Sequence, residues 1–191
     1  MKKKRKKKNQ IGKIFFLFIF IGTVFTLFYL FHEEIVRFLK PWVTKWEVLE
    51  EKKEVILYFS DPESQYLIGE KRKILKKNNL REEGKETINE LIKGPKGKLI
   101  PTLPSRTELL TFQVNGEKVR VNFNSALTKN HPGGSSAELM TVYSIVNTLT
   151  LNFPQIKRVQ ILIDGKPIET IAGHLSLREP LSPKPDLIKR Q

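Results

Sequence analysis

The chain has 191 residues, with 34 Lys and Arg against 20 Asp and Glu, three His and no Cys. Its length suits one ordinary domain plus extra segments. The absence of Cys excludes disulfides, thiol catalysis, Cys-based metal sites and a lipid-modified N-terminal Cys. The formal charge of +14 is unevenly placed. Residues 1–13 hold eight Lys or Arg and no acid, whereas 23 basic and 18 acidic residues from Trp46 onward leave the remainder nearly balanced. A nucleic-acid binder carries its basic stripe on the folded module, with exposed aromatics or a recognised motif. Here the basic block stops where a hydrophobic run begins, so no nucleic-acid partner is expected, and the tail reads as a membrane flank.

The run from Ile14 to Phe31 (IFFLFIFIGTVFTLFYLF) carries no charge. As a helix it spans about 27 Å at ~1.5 Å per residue, close to the hydrocarbon thickness of a bilayer. A soluble core helix would need a polar face, which this stretch lacks. A cleavable signal peptide would have a shorter apolar region and a small-residue cleavage pattern. The residues after Phe31 are instead His32-Glu33-Glu34-Ile35-Val36-Arg37. The segment is therefore expected to be an uncleaved, single-pass anchor in contact with membrane lipids. The basic excess before it, against Arg37, Lys40 and Lys45 after it, keeps the N-terminus in the cytoplasm. The expected location is the cytoplasmic (inner) membrane, with the C-terminal domain extracytoplasmic or periplasmic. Residues 32–53 read as a charged, partly helical stalk interrupted at Pro41, with Trp42 and Trp46 at the membrane interface.

Residues 55–60 (VILYFS) form a β-branched and aromatic strand closed by Asp61-Pro62, and residues 65–73 (QYLIGEKRK) a weaker one. Residues 82–93 (EEGKETINELIK) predict a helix with Ile88, Leu91 and Ile92 on one side and Gly94-Pro95 as its stop. Gly84 offers an alternative start near Lys85. After a Pro- and Gly-rich loop, residues 107–114 and 118–124 predict a hairpin joined across Asn115-Gly116. Val119, Val121 and Phe123 alternate with polar residues in its second strand.

Ser135 and Glu138 match a capping box at the start of a helix carrying Leu139, Val142, Val146, Leu149 and Phe153, which Pro154 ends. Met140, Tyr143 and Ile145 widen its apolar stripe, an excess that suits either the core or a neighbouring subunit; the core is the favoured reading. Residues 159–163 (VQILI) predict a buried strand, and Asp164-Gly165 turns the chain into a short strand at 167–171.

The element order implies an α+β fold: one small sandwich of two helices on one face of a mostly antiparallel sheet. The segments are a tail at 1–13, an anchor at 14–31, a stalk at 32–53, a domain at 54–181 and a flexible C-terminal tail at 182–191. About 130 residues suffice for a modest core.

Three segments carry a family resemblance: GPKGKLIPTLPSRTELL (94–110), NHPGGSSAELMTVYSIVNTLTLNFPQIKRVQILIDG (130–165) and ETIAGHLSL (169–177). They resemble the GerMN domain, named after the bacterial sporulation and spore-germination protein GerM, over residues 55–181. The resemblance implies an extracytoplasmic α+β domain of envelope and sporulation proteins, often lipid- or membrane-anchored and similar to ring-building domains. GerM-type proteins carry two copies of the domain, and one is found here. Expected partners are envelope proteins, copies of this chain included, with peptidoglycan as a further candidate.

His131, Gly133, Gly134 and Ser135 form the loop before the second long helix. Glycines and free N–H groups ahead of a helix can hold a phosphate or carboxylate. In the plainer reading, Pro132-Gly133-Gly134 makes the turn and Ser135 caps the helix. Glu138 beside His131 and His174 would suit acid–base chemistry if the three converge; otherwise Glu138 closes the capping box. His174 reads equally as a turn residue. No nucleophile motif or metal-ligand spacing supports an enzyme, a metal site or a cofactor.

Overall fold

In a computed structural model, residues 3–44 and 51–189 are described. The chain divides into two units, residues 1–50 and 51–191.

The first unit is a single helix, α1 (Lys3–Thr44). Within it Gly12–Glu34 is the one described stretch long and apolar enough to cross a membrane, by length and composition; a signal sequence would pass the same test. Its apolar side chains, Phe15, Phe18 and Phe25 among them, are exposed. Two hydroxyls in this stretch are satisfied within the helix: Thr23 donates to the Phe20 carbonyl and Thr26 to that of Gly22, each at 2.8 Å. This satisfaction is what lets Thr sit in an apolar helix. The helix continues through Pro41, which was expected to interrupt it, and ends three residues later at Thr44. Residues 45–50, Trp46 included, and the Trp42 side chain lie outside what is described.

The second unit begins with the hairpin β1 (Lys52–Ser60) and β2 (Leu67–Leu75), antiparallel along their whole length. Helix α2 (Leu80–Ile92) comes next, capped by Asn79, whose side chain accepts the Glu82 N–H at 2.9 Å. Then come β3 (Leu109–Asn115), β4 (Lys118–Phe123), the short α3 (Ala126–Lys129), the long α4 (Ser135–Asn152), β5 (Arg158–Ile163) and β6 (Lys166–Pro167). The strands make two sheets, β1-β2 and β3-β4-β5-β6. Strands β4 and β5 run parallel and every other pair is antiparallel. The α+β class expected from the sequence is the one observed.

Strand β1 begins at Lys52, inside the expected stalk, and β2 and β3 each begin two residues later than expected; four further differences bear on the packing. Helix α2 opens at Leu80, two residues before the expected start and not near Lys85, because Asn79 caps it; Gly84 lies inside, with the Phe112 ring packed on it. Asn115 pairs with Lys118, so the β3–β4 turn is centred on Gly116-Glu117, one residue later than expected. Gly116 supplies the positive φ of +59° that a tight hairpin needs at its first central position. Strand β6 stops at Pro167, and the chain instead leaves the sheet so that residues 170–174 reach Glu138 of α4. Residues 182–189 are docked where a flexible tail was expected. Leu181 bridges to Val159, the Lys184 N–H and carbonyl bond the Asn147 amide, and the Lys189 N–H reaches the Leu67 carbonyl at 2.9 Å.

Helix α4 is buried on nearly every side, with Val142, Ile145, Val146 and Leu149 in the main core alongside Phe59, Phe112 and Phe123. Its polar residues close the open edge of β1. The Tyr58 N–H donates to Thr148 Oγ1 at 3.1 Å, and the Asn152 amide bonds both the N–H and the carbonyl of Ile56. The wide apolar girth of this helix is thus spent on its own domain. A buried guanidinium, Arg72, joins Glu70 of β2, Glu90 of α2 and the Gly94 carbonyl, tying the hairpin to the helix end.

Candidate functional site

Gly133 and Gly134 both adopt φ of +83°, a left-handed conformation that costs other residues strain, and together they turn the chain into α4. Gly134 is the N-cap, Ser135 is the first helical residue, and no side chain caps this end. The capping box expected from Ser135 and Glu138 is therefore not formed.

Glu138 turns inward instead. Counting back along the helix from Leu149, Ile145 and Val142 puts residue 138 on the same buried face, and Glu138 is fully inaccessible. A carboxylate there must find donors within the protein. One oxygen accepts the Thr170 hydroxyl and the N–H groups of Ile171 and Ala172, at 2.8 and 3.0 Å; the other accepts the His174 N–H at 2.8 Å. Thr170 Oγ1 in turn accepts the Gly173 N–H at 2.7 Å. Residues 170–174 thus wrap the carboxylate in a nest of donors, with Gly173 supplying a φ of +93°. Burial alone would raise the Glu138 pKa; the bonds from Thr170, Ala172, His174 and Ile171 outweigh it and hold the group below its ordinary value.

His131 is placed by two bonds. Its Nδ1 accepts the Gly133 N–H at 3.0 Å, and its Nε2 lies 3.1 Å from Thr141 Oγ1. Thr141 gives its own proton to the Thr102 carbonyl at 2.6 Å. Nε2 must therefore be the donor, which assigns the neutral Nε2–H tautomer. Burial pushes the His131 pKa down, against the pull of the Glu138 charge and the Ala137 backbone, in keeping with that neutral form.

The six residues singled out in the sequence divide accordingly. Glu138 and His174 meet, although His174 contributes its backbone N–H and is itself exposed. His131 and Gly133 bond each other, Gly134 caps the helix through its backbone, and Ser135 is exposed at the helix start. Thr170, Thr141 and Thr102 were not anticipated. The available signal was an acid on the inward face of an apolar helix, which demands a donor-rich partner segment. Among the described residues no cluster of acids and histidines could hold a metal ion.

The family described as Germane, sporulation and spore germination, matches residues 56–169. No curated protein matches the chain. Among solved structures, a candidate lipoprotein from Clostridium perfringens is similar at 28% identity and a TM-score of 0.50, over 74% of this chain and 95% of that one. The tandem GerMN domains of the sporulation protein GerM from Bacillus subtilis align at 22% identity and a TM-score of 0.55, over 74% of this chain. This chain spans 49% of that tandem structure. The first GerMN domain of the same protein aligns at 19% identity and a TM-score of 0.52, over 72% of this chain and 98% of that one.

Proposed function

The chain belongs to the Germane family of sporulation and spore-germination domains, and from that premise we propose that it is a membrane-held interaction module of the bacterial cell envelope. In this reading α1 anchors it in the cytoplasmic membrane with the basic tail inside. The domain is displayed outside, where it works by contact with envelope proteins, copies of itself included, and not by catalysis. The observation that carries the non-catalytic reading is Glu138. It is the acid that the sequence sets beside two histidines, yet it is inaccessible and both its oxygens are taken by four donors.

The second reading, a ligand site in the His131–Ser135 loop, is favoured by one observation. A Cβ built on Gly133 or Gly134 would meet nothing within 4 Å, so a carboxylate of a peptidoglycan peptide has room to approach the first-turn N–H groups of α4. One experiment separates the two. The full chain, in nanodiscs of zwitterionic lipid, is analysed by sedimentation and by co-pelleting with purified peptidoglycan. Self-association without co-pelleting is the expected result. A strict monomer that pellets with peptidoglycan, and ceases to do so in His131→Ala/Gly134→Val, would replace the contact reading with the ligand reading.

A further inference from the structure

The face of the β3-β4-β5 sheet turned away from the helices is polar and positively charged. Residues in register share a face, so Gln113 lies opposite Arg120 and Arg120 opposite Gln160. Next to them Lys118 of β4 lies directly opposite Arg158 of β5. Two adjoining depressions, of about 440 and 360 Å³, meet at Gln113 and Arg120. The first extends to Arg81 of α2, whose Nε donates to the Phe112 carbonyl at 3.1 Å; the second extends to Asn122 and Gln160.

Among the described residues, none of Arg81, Lys118, Arg120 and Arg158 lies in an ion pair. Lys118 and Arg158 are both exposed and lie side by side on parallel strands, so an anion at this surface would be attracted to both.

The lining also narrows the kind of anion. It contains no aromatic side chain, and its apolar residues are Val114, Leu162 and Pro167. The centre of a specific protein interface is apolar and rich in aromatics. A single-stranded nucleic acid needs aromatic platforms for its bases. A hydrated polyol phosphodiester needs neither. Its phosphates suit guanidinium forks, and its hydroxyls suit the exposed amide of Gln113, whereas the buried amides of Asn122 and Gln160 are held by the Gly165 N–H and the Leu177 carbonyl and shape the floor. Cations about 5 Å apart across strands and about 7 Å apart along one offer successive phosphates successive partners. We propose that this sheet face binds a linear polyol-phosphate polymer, with Arg120 at its centre. The inference is independent of the assembly reading, since a monomer would bind as well.

The test uses the full chain in phosphatidylcholine nanodiscs, with Lys and Arg at positions 2–8 replaced by Gln so that the tail adds no background. The probe is a fluorescent glycerol-phosphate oligomer. Lys118→Gln/Arg120→Gln should raise its Kd by about tenfold or more. Lys73→Gln/Lys98→Gln, the same charge change on exposed residues elsewhere, should change it less than about twofold. The melting temperature of Lys118→Gln/Arg120→Gln should not fall, which excludes misfolding as the cause. Equal losses in both double variants would overturn the proposal as unspecific charge attraction. Equally tight, Arg120-dependent binding of poly-glutamate or oligothymidylate would reassign the face to an acidic protein or a nucleic acid. Competition by phosphatidylglycerol vesicles at equal phosphate concentration would reassign it to a bilayer surface.

Discussion

Glu138 joins the start of α4 to residues 170–174, and its four bonds are made from a position with no access to water. Removing the carboxylate strands the N–H groups of Ile171, Ala172 and His174 and a hydroxyl, so Glu138→Ala should destabilise the domain by about 3 kcal/mol. Glu138→Gln keeps one acceptor but faces the other N–H with a donor, and should cost about 1–2 kcal/mol. The folded pKa lies below the ordinary value. The stabilisation is therefore complete above the unfolded pKa and is lost as the pH falls through the folded one. Urea unfolding followed by near-ultraviolet circular dichroism from pH 7 to pH 3 should show the wild type losing its advantage over Glu138→Gln on acidification. Against their burial, Arg72 holds Glu70 low and Lys93 with Arg72 holds Glu90 low, and their contributions decline in both proteins. A constant difference across the range would refute the charge-based account. The sequence offered His131, Glu138 and His174 as a converging group, whereas the fold bonds only Glu138 to His174 and turns His131 to Gly133 and Thr141. Capping-box spacing and inward-face spacing coincide at residue 138, and only the fold decides between them. Nor does any local pattern reveal that His174 contributes through its backbone.

Helix α2 rests on β3 through a contact that excludes a methyl group. A Cβ on Gly84 would fall 2.5 Å from Phe112 Cζ and 2.8 Å from Cε1, and Phe112 is itself fully buried. Replacing a mid-helix Gly by Ala ordinarily gains roughly 1 kcal/mol. Here overpacking should win, and Gly84→Ala should lose about 1–2 kcal/mol. In a Phe112→Leu background the same substitution should become neutral or stabilising, a coupling that a double-mutant cycle in urea measures directly. Stabilisation by Gly84→Ala alone would show that the ring yields. Strands β1 and β4, helix α4 and the β3–β4 hairpin were legible because their periodicity and turn chemistry are local. The parallel pairing of β4 with β5 was not, since it depends on how α4 crosses over. The early end of β6 was equally hidden, because residues 168–171 leave the sheet to reach Glu138.

At the scale of the whole chain, an apolar helix and a folded domain divide the sequence near residue 50. The domain extends further toward the C-terminus than composition suggested. Residues 182–191 read as a flexible tail, yet the backbones of Lys184 and Lys189 bond Asn147 and Leu67, and backbone docking leaves no mark on composition. The Germane match accounts for the fold of residues 56–169, while the role of the chain rests on where that fold is held. Because the chain contains no cysteine, a single introduced thiol reports its own compartment. The decisive measurement is labelling of intact cells with a membrane-impermeant maleimide, with the mass of the labelled chain read alongside. Cells producing Glu63→Cys, an exposed position between β1 and β2, should label at full length, and those producing Lys8→Cys should label only after lysis. Protection of Glu63→Cys in intact cells, or a mature chain shortened by its basic tail and apolar segment, would contradict a membrane-held module displayed outside the cytoplasm.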